Sequence, residues 1–259
     1  NRVMLRNRRI GCSVSGVAQF VTNRGLGEFQ NWLEKGYDTI QEWDNQYSDW
    51  FAVPKSIKTT SVKPSGTVSL LAGATPGLHY PESRFYIRRI RVSKHSELLV
   101  PMEKAGYKIE PAFGSEDTTM VVEVPVDVGE GIRTAADLSI WEQFSLAAFM
   151  QRHWADNQVS CTVTFNPETE REQIAPALNY YQYHLKGISL LPRHDYGAYP
   201  QMPYEAIDEK EYNKQVKKLG KLSFGVIKNE EAEVDKFCNN DSCEIIPTTG
   251  DNDDQDYAN

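Results

Sequence analysis

The sequence predicts a soluble α/β fold, and three observations carry that reading. Between Thr118 and Pro192 the segments "TTMVVEVPVDV", "AADLSIWEQFSLAAFMQRHW", "QVSCTVTFN", "PETEREQIAPALNYYQYHLKG" and "ISLLP" read strand, helix, strand, helix, strand. Such alternation favours parallel strands joined by helical crossovers, as part of an α/β sheet or barrel. The chain has 259 residues, 40% apolar and 25% charged, which is enough material for a sizeable buried core. No apolar run approaches the roughly 20 residues that cross a bilayer. With no basic and apolar leader either, the expected compartment is the cytoplasm.

The elements follow in order. The first 60 residues read as helix and loop. "NRVMLRNRRIGCSVSGVAQF" begins with Asn1 and runs from a basic stretch into small apolar residues, so it reads like the middle of a longer polypeptide. Phe29, Trp32, Leu33, Tyr37 and Ile40 then recur at helical spacing between Gly27 and Phe51, predicting one or two helices with an aromatic inner face. "SRFYIRRIRVS" alternates apolar and basic residues as a strand does, and "KHSELLVPMEKAGY" reads as a short helix or turn. The next strand, Thr118 to Val128, is β-branched, and its Pro125 suggests an edge or an end.

Thr134 with Asp137 three residues later is a capping signature for the long helix that follows. Leu138, Trp141, Phe144, Ala148 and Phe149 form its predicted buried stripe. "ISLLP" reads as a short buried strand. Gly197 to Leu219 reads as a proline-rich connector leading into a solvated helix, and the compact part is expected to span residues 1–228. Residues 229–259 hold ten acidic residues against a single Lys236. So few apolar groups cannot offset the entropy of ordering, so this tail is expected to be solvated and mobile. Nothing in the body suggests a nucleic-acid surface.

The four cysteines do not cluster. Cys12 in "IGCSVSG" and Cys161 in "VSCTVTF" sit in small or apolar surroundings and read as buried, inert thiols. Cys238 and Cys243 lie in the acidic tail with four residues between them. A zinc site needs two further ligands, none of them near in sequence, and a structural disulfide does not suit a reducing compartment. A redox pair that exchanges with other thiols remains. His79, His95, His153, His184 and His194 show no ligand spacing on one element, so no metal is expected.

"KPSGTVSLLAGATPGLHYP", Lys63 to Pro81, combines hydroxyls, glycines and prolines around an apolar run. Small residues let backbone N–H groups approach an anion, and the hydroxyls of Ser65, Thr67 and Ser69 add donors. The pattern is neither a Walker loop nor a dinucleotide fingerprint. On these residues alone it is either a phosphate loop or a structural turn.

"PSGTVSLLAGATPGLHYPESRFYIRRIRVS", "RNRRIGCSVSGV", "NQVSCTVTF" and "ISLLPRHDYGAYPQMPYEAI" together resemble the C-terminal half of the adenosylcobalamin-dependent ribonucleoside-triphosphate reductases, the class II ribonucleotide reductases. The resemblance covers nearly the whole chain. It implies the C-terminal portion of a ten-stranded α/β barrel with a flexible C-terminal redox tail. It implies that Pro64, Ser65, Gly66, Thr67, Val68 and Ser69 hold the substrate's phosphates while Leu70 and Leu71 anchor the strand. Cys238 and Cys243 match the pair on a swinging arm that re-reduces an active-site disulfide and is itself reduced by thioredoxin. Arg84, Arg88, Arg89 and Arg91 read as a solvated strand face, with nucleotide phosphates or cobalamin side chains as alternative partners.

The family draws a thiyl radical from a cysteine in Asn-x-Cys-x-Glu, and no cysteine here has that setting. The radical half is therefore expected upstream, in the same chain or in a separate polypeptide. Tyr180 and Tyr181 read as packing residues, not as a radical path. The competing reading is a non-catalytic, nucleotide-binding thiol module that kept the loop and lost the radical half.

Overall fold

The computed structural model describes residues 2–66, 68–193 and 200–223. The chain opens with α1 (Arg2–Asn7), β1 (Arg9–Cys12), α2 (Val17–Arg24), α3 (Leu26–Trp50), β2 (Lys58–Thr60) and α4 (Val68–Leu71). It continues through β3 (Phe85–Ser93), α5 (Leu99–Lys104), β4 (Lys108–Pro111) and β5 (Thr119–Asp127). It then forms α6 (Ile140–His153), β6 (Thr162–Phe165), α7 (Ile174–Tyr181), β7 (Ser189–Pro192), β8 (Tyr204–Ala206) and α8 (Glu209–Val216). The acidic tail expected at 229–259 lies outside the described residues.

Two parallel pairs, β1 with β2 and β6 with β7, are joined by a parallel bridge between Val62 and Val159. Asn157 N–H donates to the Thr60 carbonyl at 2.9 Å and Ser160 N–H to the Val62 carbonyl at 2.8 Å, which continues the ladder across the join. The strands thus follow one another in chain order, with helices in every crossover, as a parallel α/β layer requires. The core lies between this layer and its helices. Val17, Phe29, Leu33, Phe144, Met150, Trp154, Val163 and Phe165 all belong to it.

The membership of the parallel series differs from the sequence expectation. The first 60 residues contain two strands, β1 and β2, besides their helices. β2 is hard to recognise because its inward groups are hydroxyls. Thr59 and Thr60 are buried, and Thr60 Oγ1 donates to the Trp154 carbonyl at 2.5 Å. β5, by contrast, leaves the parallel series. It is central to an antiparallel sheet of order β4-β5-β3-β8, paired with β3 from Phe85 opposite Asp127 to Ser93 opposite Thr119. β4 covers only Met120 to Glu123 of β5, so Pro125 lies past its end, where no partner needs the missing N–H.

α3 is one unbroken helix of 25 residues. Phe29 and Leu33 are buried, Tyr37 and Ile40 pack at the margin, and Trp32 is exposed. The Thr134–Asp137 capping box is present, yet it closes only a 3₁₀ turn. A second box, Ser139 with Glu142, starts α6. Ile140, Phe144, Ala147 and Met150 are its buried residues, while Trp141, Ala148 and Phe149 are half-buried beside them. β7 is less buried than expected, with Leu191 45% exposed, because it lies at the edge of the parallel layer. Among the described residues no helix is long and apolar enough to cross a membrane.

Candidate functional site

The Lys63–Pro81 segment leaves the layer just after the Val62 bridge. Ser65 adopts a left-handed backbone, φ 62°, which is uncommon for a residue with a side chain. The chain then makes the single turn α4. Ser69 N–H donates to the Ser65 carbonyl at 3.2 Å, and Ser69 Oγ donates to the same oxygen. Leu70 therefore belongs to a helical turn, not to a strand, which corrects the anchoring role expected for Leu70 and Leu71. The strand is the one before the loop, and the Ser65–Ser69 contacts turn the chain before a second can form.

Gly66 is buried, Pro64 and Ser65 are half-buried, Val68 is exposed and Ser69 is buried with its proton committed to the turn. Thr67 lies outside the described residues. The first N–H groups of a helical turn have no acceptor inside it, and here that of Ser69 is taken by the Ser65 carbonyl before the turn. The loop returns tightly. At Gly77, φ 48°, a Cβ would stand 2.6 Å from the Lys63 carbonyl oxygen, so only glycine lets the exit pass the entry.

Beyond the loop, His79 Nε2 accepts from Thr162 N–H at 3.2 Å. The Gln143 amide bonds both backbone groups of Thr164, at 2.9 Å to N–H and 2.7 Å to the carbonyl. Two side chains thus take the place of a neighbouring strand on that edge of β6. Beside them lies a cavity of about 250 Å³ whose walls include Leu78, Tyr80, Leu146 and the Arg133–Glu142 ion pair. Burial pushes the Tyr80 phenol upward, opposed by Arg133.

The arginines of β3 do not form a solvated face. Arg88 is 2% exposed, its guanidinium 4.6 Å from the centroid of the Tyr204 ring and donating to the Arg89 and Pro203 carbonyls. Arg89 pairs with Glu123 at 2.9 Å and with Glu205, and buried Arg91 reaches the Gln201 carbonyl. Residues 201–206 cover them, a segment that alternation within β3 cannot reveal. Arg84 pairs with Asp127 at 3.4 Å.

No protein-family model matches the chain. Individual proteins do. The chain is 55% identical over 248 residues to the adenosylcobalamin-dependent ribonucleoside-triphosphate reductase of Euglena gracilis, covering 94% of this chain and 34% of that protein. A probable reductase of the same name from Dictyostelium discoideum is 54% identical over 95% of this chain and 33% of its own length. A crystal structure of a B-12 dependent (class II) ribonucleotide reductase superposes with a TM-score of 0.73 at 33% identity, covering 84% of this chain and 34% of that one. The chain is homologous to these reductases. It spans about a third of the length of the curated relatives it matches.

Within this reductase-related chain the thiols divide. Cys161 is buried in the parallel layer beside β6, and burial pushes its thiol up to about 12. Cys12 is exposed, against expectation, because it ends a strand at the margin of the layer. Cys238 and Cys243 lie outside the described residues. Tyr181 packs on Phe144 with ring centroids 5.6 Å apart, whereas Tyr180 is exposed against Trp141. Among the described residues no three His, Cys, Asp or Glu side chains are placed as metal ligands.

Sequence reasoning missed Asp156. Its carboxylate accepts from Tyr37 Oη at 3.0 Å, Thr59 N–H at 3.1 Å and Thr59 Oγ1 at 3.0 Å, tying α3 to β2. An isolated Asp in "HWADNQ" carries no local signal of such a hub.

Proposed function

We propose that this chain is the part of an adenosylcobalamin-dependent ribonucleoside-triphosphate reductase that holds the substrate's phosphates and carries the thioredoxin-reducible cysteine pair. The observation that carries this reading is the 55% identity to the Euglena gracilis reductase across 94% of the chain. A match of that extent necessarily includes Lys63–Pro81. In the complete enzyme the substrate is a ribonucleoside triphosphate and the product its 2′-deoxy form. The parallel layer, with its strands in chain order and margins at β1 and β7, would be one portion of a ten-stranded barrel closed by the remaining two thirds.

The loop's part in the reaction is to bind and orient. The left-handed Ser65 and the small Gly66 suit close approach of the backbone to phosphate oxygens. Pro64, Thr67, Val68 and Ser69 complete the proposed phosphate segment. Such holding contributes mainly to affinity and orientation.

Adenosylcobalamin supplies the radical initiation when bound. Two cavities, of about 250 and 460 Å³, are the size of small-ligand pockets, and each is too small to enclose a corrinoid. Neither cavity by itself forms its site.

Cys238 and Cys243 would form and break one disulfide: thioredoxin gives two electrons and two protons to the pair, which passes them to an oxidised pair in the upstream part. In the complete enzyme, Cys238→Ser or Cys243→Ser is expected to spare a single turnover and abolish thioredoxin-driven cycling. Sustained cycling with thioredoxin in either variant would refute the arm.

A further inference from the structure

We propose that Gln19 is a positioning residue for the nucleotide-binding loop, an inference that rests on the reading of Lys63–Pro81 as the phosphate site. One side-chain amide spans the loop's exit. Gln19 Nε2 donates to the Gly73 carbonyl at 2.9 Å, and Gln19 Oε1 accepts from Thr75 N–H at 2.8 Å. At neutral pH a side-chain amide offers a donor and an acceptor side by side, as an ionised carboxylate of the same shape does not. Gly16 N–H adds a bond to the Thr75 carbonyl at 2.8 Å, and Ser13 Oγ accepts from Lys63 N–H at 2.9 Å at the loop's entry. The turn between β1 and α2 therefore grips both ends of a loop some 50 residues away in sequence.

The loop needs that grip. A four-residue helical turn does not hold itself together, because nucleating a turn costs more than its first hydrogen bond returns. Ser65 adds backbone strain that persists only when its surroundings impose it. α2 supplies a fixed platform, since Val17 and Ala18 are fully buried immediately before Gln19. Gln19 need touch no phosphate. It keeps the loop in one conformation, so that the nucleotide does not have to order it on binding.

The test uses the complete reductase, with triphosphate affinity measured by calorimetry beside KM and kcat. Gln19→Met keeps the length and removes both hydrogen bonds. It should raise Kd and KM about tenfold, as the loss of one to two net hydrogen bonds predicts. It should leave kcat within about twofold, the signature of lost uniform binding. Gln19→Glu should recover affinity on acidification relative to wild type, because only the protonated carboxyl can donate to the Gly73 carbonyl. Ser65→Asp tests the loop itself, since Asp tolerates the left-handed backbone but sets a carboxylate against the phosphates.

Unchanged affinity in Gln19→Met with weakened affinity in Ser65→Asp overturns the role of Gln19 and leaves the loop reading intact. Unchanged affinity in both overturns the loop reading and the role of Gln19 together. A fall in kcat at constant KM also overturns it. Should Gln19→Met not fold, Gln19→Glu decides, and no recovery on acidification overturns the proposal.

Discussion

The two sheets of this chain solve the same problem with opposite chemistry. The antiparallel sheet buries charge, with Arg88 and Arg91 inside and Arg89 locked to Glu123 and Glu205. The parallel layer buries hydroxyls, a thiol and apolar side chains, with Thr59, Thr60 and Cys161 inside it. The antiparallel sheet pairs its charges within its own strands and the 201–206 segment. The layer is tied by Asp156 to α3 and ends at β1 and β7 as margins. A charge-locked sheet is self-contained, while a layer of short parallel strands depends on what packs around it.

The largest expected effect comes from breaking the charged lock. Glu123 is 6% exposed and accepts from both Arg89 at 2.9 Å and Lys108 at 3.0 Å. Glu123→Ala leaves the Arg89 guanidinium with the more exposed Glu205 as its one carboxylate and the Met202 carbonyl at 3.1 Å, and removal of one partner of a buried pair costs about 3–5 kcal/mol. Chemical denaturation of wild type and variant measures it. A loss below about 1 kcal/mol, the range of exposed pairs, would mean that the sheet's charges are solvated after all.

Next in size is the hub of the parallel layer. Asp156→Ala removes the acceptor of three bonds and leaves Tyr37 Oη and the Thr59 groups to find others. Unpairing buried donors costs about 1–3 kcal/mol, so a loss near the top of that range is expected, smaller than for Glu123→Ala. The reverse order of the two variants would invert the comparison.

Much of the fold was legible in residues. The period of α3, the strands β3, β5 and β6, and the α/β class all follow from apolar spacing, which reports which face of an element is buried. The failures share a physical cause. β2 buries hydroxyls where a sequence reader looks for Val and Ile, and β1 leaves Arg9, Ile10 and Cys12 exposed, so it has no buried apolar face to read. Alternation in β3 puts Arg88 on one face and Arg89 and Arg91 on the other but cannot tell that residues 201–206 supply partners to both. The loop's glycine and hydroxyl pattern was legible, yet its conformation was not, because Gln19 and Gly16 shape it from another element. Asp156 and Gln143 act through partners far away in sequence, which no local pattern encodes.

The smallest effect tests how dry the parallel layer is. Cys161 is buried with its thiol pushed up to about 12 from 9.0, through burial alone. A raised folded pKa means that the native state keeps a proton that the unfolded chain gives up, so stability is fully present below about pH 9 and is lost as pH rises toward 12. The slope attributable to this one group is about 1.4 kcal/mol per pH unit across that window. Cys161→Ala costs some packing at every pH but should flatten the slope by one proton, measured as denaturation free energy at several pH values from 8 to about 10.5. Iodoacetamide at pH 8 should meanwhile modify exposed Cys12 and spare Cys161 until denaturant is added. An unchanged slope in Cys161→Ala, or early labelling of Cys161, would place water inside the layer. The contrast between a charge-locked sheet and a dry one would then fail at its second half.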